Sequence, residues 1–148
     1  MTDSLRNEVR KRAMHCCEYC FAQEMISHDP FSAEHIIPSS KGGKDEFDNL
    51  AWSCLGCNYH KFTATTAIDL VSEEIVNLFH PRKDVWAGHF KWNEDYTQLI
   101  GLSAIGRATI NRLKLNPNRL DQSKANFEDG RETSTESLIV SIFPLIQI

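Results

Sequence analysis

Leu5, Val9 and Ala13 recur at helical spacing, so the chain should open with a helix over about residues 5–15, capped by Ser4. Residues 16–62 behave differently. They lack long periodic runs and hold all five cysteines, as expected where a bound group rather than a large core organises the backbone. Within them, residues 33–37 read as a short strand ended by Pro38, residues 39–44 as a polar loop tightened at Gly42-Gly43, and residues 55–65 as a helix. Further on, residues 74–79 predict a strand closed by Pro81, and residues 83–88 a short helix. Residues 90–92 pair with 97–102 as a hairpin. Ser103 should cap a last helix over 104–115, with Ile105, Ala108, Ile110 and Leu113 on one face and Asn116-Pro117 as its stop. Residues 121–136 are polar and expected to be mobile. The final SLIVSIFPLIQI is apolar but broken by Pro144, and the pattern allows either a packed strand or an exposed end.

At 148 residues and 41% hydrophobic content, the chain suits one ordinary domain, residues 1–120, followed by a tail at 121–148. Collagen-like, low-complexity and wholly disordered classes do not fit this composition. No run of 18 apolar residues occurs, so no membrane-spanning helix is expected. The charged start MTDSLRNEVRKRAMH lacks a signal-peptide core, which points to a soluble cytoplasmic protein. The net charge of −4 does not advertise a nucleic-acid binder. Residues 121–148 carry two basic and five acidic residues, however, leaving the rest nearly balanced, with Arg6, Arg10, Lys11 and Arg12 clustered on the first helix.

Cys17-Glu-Tyr-Cys20 and Cys54-Leu-Gly-Cys57 are two CxxC knuckles. Each such turn aims two thiolates at one tetrahedral centre, so Cys17, Cys20, Cys54 and Cys57 can form a closed structural zinc site with no position left for a reactive water. The 33 residues between the knuckles exceed the spacer of common zinc ribbons. Cys16 is adjacent but has the wrong spacing and reads as a bystander. Disulfides do not suit a cytoplasmic chain. Redox chemistry at the CxxC pairs is a rival that bound zinc would exclude.

The insert from Glu34 to Lys61 reads EHIIPSSKGGKDEFDNLAWSCLGCNYHK. Its acid-His pair Glu34-His35, then Ile37-Pro38, Gly42-Gly43, Asp48-Asn49-Leu50 and Cys54 through Cys57-Asn58 to Lys61 resemble the HNH endonucleases. The flanks LFHPRKDVW, HFKW and GLSAIGRATINRL are similar to a bacterial branch of these proteins. The resemblance implies an α+β fold with a ββα-metal (His-Me finger) core, supported by the zinc knuckles and flanked by helices and a small hairpin. It further implies that Glu34 and Asn58 hold a catalytic Mg²⁺ or other divalent ion, that His35 is the general base, and that Asn49 orients its imidazole. The activity implied is metal-dependent hydrolysis of DNA. Where Glu34 and Asn58 stand, many relatives carry Asp and His.

Imidazole ordinarily exchanges its proton near neutral pH, which suits it to activate water. A hard ion held by few protein groups keeps open positions for phosphate and water. Neighbours on a strand face opposite ways, so Glu34 and His35 should present to different sides. Lys41, Lys44, His60 and Lys61 are candidate nucleic-acid contacts, with a plain solvated surface as the alternative. Trp86, Phe90 and Trp92 read as core rather than as base-stacking rings. Arg82, His89 and Arg107 read as structural or backbone-contacting residues. The competing functional reading is a zinc-stabilised nucleic-acid-binding module that does not cut. Oligomeric state is left open.

Overall fold

The structure is a computed structural model, and it describes residues 1–116. The apolar C-terminus and the polar segment before it lie outside the described residues. Helix α1 spans Asp3–Arg12 and is capped by Thr2, whose Oγ1 accepts from the Leu5 backbone N–H at 3.2 Å. Ser4, the expected cap, lies inside the first turn and donates to Glu8 instead. The forecast stripe holds: Val9 and Ala13 are buried, and Leu5 packs beside them.

Strands β1 (Phe31–His35) and β2 (Leu50–Cys54) pair antiparallel, with Ala33 opposite Trp52, Glu34 opposite Ala51 and His35 opposite Leu50. One face of this pair meets α1 through Phe31, Ala33, Leu50 and Trp52. The other receives α2 (Leu55–Lys61), which begins directly where β2 ends. The two strands are joined by a loop that needs two glycines for different reasons. Gly42 adopts a left-handed φ of 85°. At Gly43, a Cβ would lie 1.7 Å from the Ile37 carbonyl oxygen, because the backbone folds back on itself there. Asn49 staples the same loop, accepting from Ile37 N and donating to the carbonyls of Ile37 and Lys44, each at 3.0 Å.

Helix α2 is shorter than its pattern suggested. Phe62 has a φ of 49°, which breaks the helix, and the chain enters β3 (Thr66–Ile68) at the β-branched Thr66. This strand, to which the sequence pattern assigns no element, pairs with β4 (Ile75–Asn77) as a hairpin. The forecast short helix is displaced to α3 (Trp86–His89), since residues 80–84 close a turn in which Asp84 accepts from His80 N at 2.8 Å. Strands β5 (Phe90–Trp92) and β6 (Leu99–Gly101) form the expected hairpin. Ser103 caps α4 (Ala104–Leu113), accepting from Gly106 N at 3.0 Å. Helix α4 ends at Lys114 in a left-handed conformation, before Asn116 and Pro117 are reached.

The main core joins Cys17, Tyr19, Ile36, Ala51 and Cys57 to Leu78, Phe79, Trp86, Phe90, Leu99 and Leu113. Trp86 and Phe90 are therefore core, with ring centroids 5.2 Å apart. The flanking polar residues are structural as well. Arg82 pairs with Glu18, and His89 Nδ1 shares a hydrogen bond with Ser103 Oγ. Arg107 clamps the fully buried Asp69 through two bonds, of 2.9 and 2.7 Å. Among the described residues, no helix is long and apolar enough to cross a membrane.

Two outcomes follow from these contacts. Gly43→Ala should lower unfolding stability by at least about 2 kcal/mol in denaturant titrations, because the backbone must move to admit the methyl group. Arg107 is the main cause holding the Asp69 carboxyl well below the usual carboxylate range. Such a depressed group stabilises the fold above its unfolded value near pH 4, and that contribution fades as pH falls through the folded value. Arg107→Ala should therefore lower Tm at pH 7, with the gap to wild type narrowing below about pH 3.

Candidate active site and metal centre

The Sγ atoms of Cys17, Cys20, Cys54 and Cys57 lie within 4.8 Å of one another. Cys20 and Cys54 are 3.7 Å apart, close to the separation of about 3.8 Å that tetrahedral zinc requires at a Zn–S distance of about 2.3 Å. Local backbone geometry aims them. The first knuckle turns through left-handed Met14, His15 and Phe21, with Phe21 N bonded to the Cys17 carbonyl. The second knuckle is the N-terminus of α2, where Cys54 Sγ accepts from Cys57 N at 3.5 Å. Hydrogen bonding within the cluster, with Cys17 as main partner, pushes the Cys20 and Cys57 thiols up and holds that of Cys54 far down. A divalent zinc ion would replace these shared protons and be met by four thiolates. The donor set, its spacing and its burial fit structural zinc. Cys16 lies outside the cluster, with its thiol against the Met14 carbonyl at 3.5 Å.

Glu34 and His35 present to opposite sides, as strand geometry requires. His35 is partly exposed, and its Nε2 lies 2.6 Å from Asp45 Oδ1. A carboxylate accepts, so Nε2 carries the proton and Nδ1 is the basic nitrogen of the neutral ring. Asp45 also receives the amino group of Met1, and these two donors hold its carboxyl below the ordinary range. Asn49, expected to orient the imidazole, spends its amide on the backbone of the glycine loop instead. Asp45 stands in that place. Its position four residues before Asn49 within a charged loop offered no sequence signal.

On the other side, Glu34 is buried, and both of its oxygens are engaged. Tyr19, within the first CxxC knuckle, donates its hydroxyl to Oε1. Lys61 donates to Oε2 at 3.0 Å and to the His35 carbonyl at 3.0 Å. Burial pushes the Glu34 carboxyl up, opposed by Lys61 and the Tyr19 hydroxyl. Burial, and then Glu34 itself, push the Tyr19 phenol well up, so it acts as a neutral donor. Lys61, expected at a nucleic-acid surface, is 2% exposed and belongs to this buried trio. Its place one turn after Asn58 was visible in the sequence; its burial was not.

Asn58 lies on the same side of the hairpin as Glu34, and its Nδ2 donates to Ser32 Oγ at 3.1 Å. Ser32 and Glu34 alternate with outward residues along β1, so Asn58 and Lys61 of α2 face successive inward positions of that strand. In this arrangement Glu34 and Asn58 do not offer a second ion an open pair of ligands, because the carboxylate is closed by Lys61 and Tyr19. Of the remaining candidates, Lys41 is exposed and reaches Thr65 Oγ1 at 3.4 Å, Lys44 is exposed, and His60 packs edge-on against the exposed ring of Tyr59.

Zinc analysis should find one ion per chain, and Cys57→Ser should lose it together with the cooperative thermal transition. Cys16→Ser should keep both. A metal content unchanged by Cys57→Ser would refute the four-sulfur assignment.

No curated protein and no solved structure matches the chain. The segment that carries both knuckles, the Glu34-His35 pair and Asn58 matches, over residues 17–63, the family model described as HNH endonuclease, in agreement with the resemblance read from the sequence.

Proposed function

We propose that this protein is a DNA endonuclease of the HNH type. In this reading, β1, β2 and α2 form the ββα-metal finger, and the four cysteines hold a supporting zinc. The observation that carries the reading is His35, set at the end of β1 within the matched segment, with Nε2 held by a carboxylate and Nδ1 left to accept a proton. A solvated histidine with no partner would lack that fixed tautomer and orientation.

The chain's own residues supply the following chemistry. His35 Nδ1 takes a proton from water as the water oxygen attacks the phosphorus of a phosphodiester. Asp45 keeps the ring in the productive tautomer and stabilises the imidazolium that forms. The bond from phosphorus to the 3′ oxygen breaks, and that oxygen leaves with a proton from solvent. The products carry 5′-phosphate and 3′-hydroxyl ends. Lys41 and Lys44, on the exposed loop next to His35, and His60 on α2 are proposed backbone contacts that position the strand. A hard divalent ion such as Mg²⁺ would neutralise phosphoryl oxygens and stabilise the leaving oxygen.

The test is nicking of supercoiled plasmid with Mg²⁺ or Mn²⁺, with and without chelator. Wild type should nick. His35→Ala should lose at least about 100-fold in rate, as expected for loss of a general base, with zinc content unchanged. Asp45→Asn should lose at least about 10-fold while DNA affinity in a filter-binding assay stays the same. DNA binding without nicking by wild type would instead identify a non-cutting binding module.

A further inference from the structure

The buried trio around Glu34 has a consequence beyond bracing the hairpin. Lys61 and Glu34 expose only 2% and 5% of their side chains, so their charges neutralise each other out of water. The ammonium sits between β1 and α2, on the same side as Asn58 and one helical turn from it. A divalent ion bound to Glu34 there would lie next to an ammonium that already contacts the same carboxylate, and the two cations would repel strongly in a poorly solvated site. Lys61 has somewhere else to go. It also lines a cavity of about 400 Å³ on the flank of α2, whose wall includes Lys41, Thr65, His80, Lys83 and the carboxylate of Asp84. An anionic phosphate in that cavity would meet the ammonium groups of Lys41 and Lys83, opposed by Asp84 alone among the carboxylates of the wall, and would compete with Glu34 for the Lys61 ammonium.

The geometry points to Lys61 as a tethered cation that keeps the Glu34 carboxylate closed to divalent ions until the ammonium is drawn away. The chain thus carries its own competitor for the ion. Binding of phosphate in the flanking cavity and binding of the ion at Glu34 would favour each other, because both select the state in which Lys61 has left the carboxylate. This inference rests on the nuclease reading for the place of the ion. Its readout is ion binding rather than cleavage, so a protein that never cuts DNA can still confirm it.

The experiment is titration of the zinc-loaded protein with Mn²⁺, followed by electron paramagnetic resonance of the free ion. Lys61→Met should bind Mn²⁺ at least 10-fold more tightly than wild type, about 1.4 kcal/mol. The double variant Glu34→Gln with Lys61→Met should lose that gain. Lys61→Gln, which keeps a polar tip without the charge, should behave like Lys61→Met. Folding is followed in parallel by circular dichroism. Single variants that fold only when Mn²⁺ is present support the inference, since the ion then replaces the ammonium's charge. Equal or weaker binding in both single variants overturns it, as does tighter binding that survives the loss of Glu34. Failure of both to fold whether or not Mn²⁺ is added also overturns it, and makes Lys61 a structural brace that no ion replaces.

Discussion

The convergence of four sulfurs from two distant knuckles is the constraint on which the rest of the site depends. Cys54 and Cys57 lie at the β2–α2 junction, while Cys17 and Cys20 close a turn that follows α1. Holding these together sets the angle at which α2 crosses the β1–β2 pair. Tyr19 extends the constraint inward. It stands between two of the four cysteines and donates to Glu34 in the middle of β1, so the knuckle is coupled by one side chain to the acidic position of the candidate site. A small hairpin of two five-residue strands would be marginal alone. Here it is held on one face by α1 and on the other by the clamped α2.

The hairpin also separates two kinds of chemistry. His35 faces out, where water and a phosphate can reach it, and its partner comes from the glycine loop. Glu34 faces in, where a charge is costly unless paired, and its partners come from α2 and the first knuckle. One strand therefore presents a partly exposed imidazole and a buried carboxylate from adjacent residues. The loop between the strands serves both sides. Gly42 and Gly43 allow the chain to fold tightly against Ile37, Asn49 staples that fold, and Asp45 is thereby brought to His35.

Much of this was legible beforehand. The two CxxC pairs marked a four-sulfur site because the ligand spacing is itself the geometry. The β5–β6 hairpin and the Ser103 cap were visible for similar reasons, since the turn and the capping hydroxyl act within a few residues. The resemblance carried by Glu34 to Lys61 located the candidate site within the matched segment. The errors share a cause. Thr66–Ile68 gave no strand reading because its pairing with Ile75–Asn77 is not a local property. Thr2 displaced Ser4 as the cap because either hydroxyl satisfied the same local rule.

The roles of Asn49, Asp45 and Lys61 belong to a different level. The resemblance made Asn49 a candidate partner of the imidazole, and charge made Lys61 a candidate phosphate contact. A short polar side chain bonds whichever group the folded loop brings within reach, and for Asn49 that is the backbone of Ile37 and Lys44. A long cationic side chain goes to whichever anion is desolvated beside it, and for Lys61 that is Glu34. Local order along the chain thus determined the four-cysteine cluster, the glycine turn and the alternation that sends Glu34 and His35 apart. Only the packing of α2 and the first knuckle onto β1 decided which polar groups meet, because hydrogen bonds and buried charges are selected by distance in space and by exclusion of water.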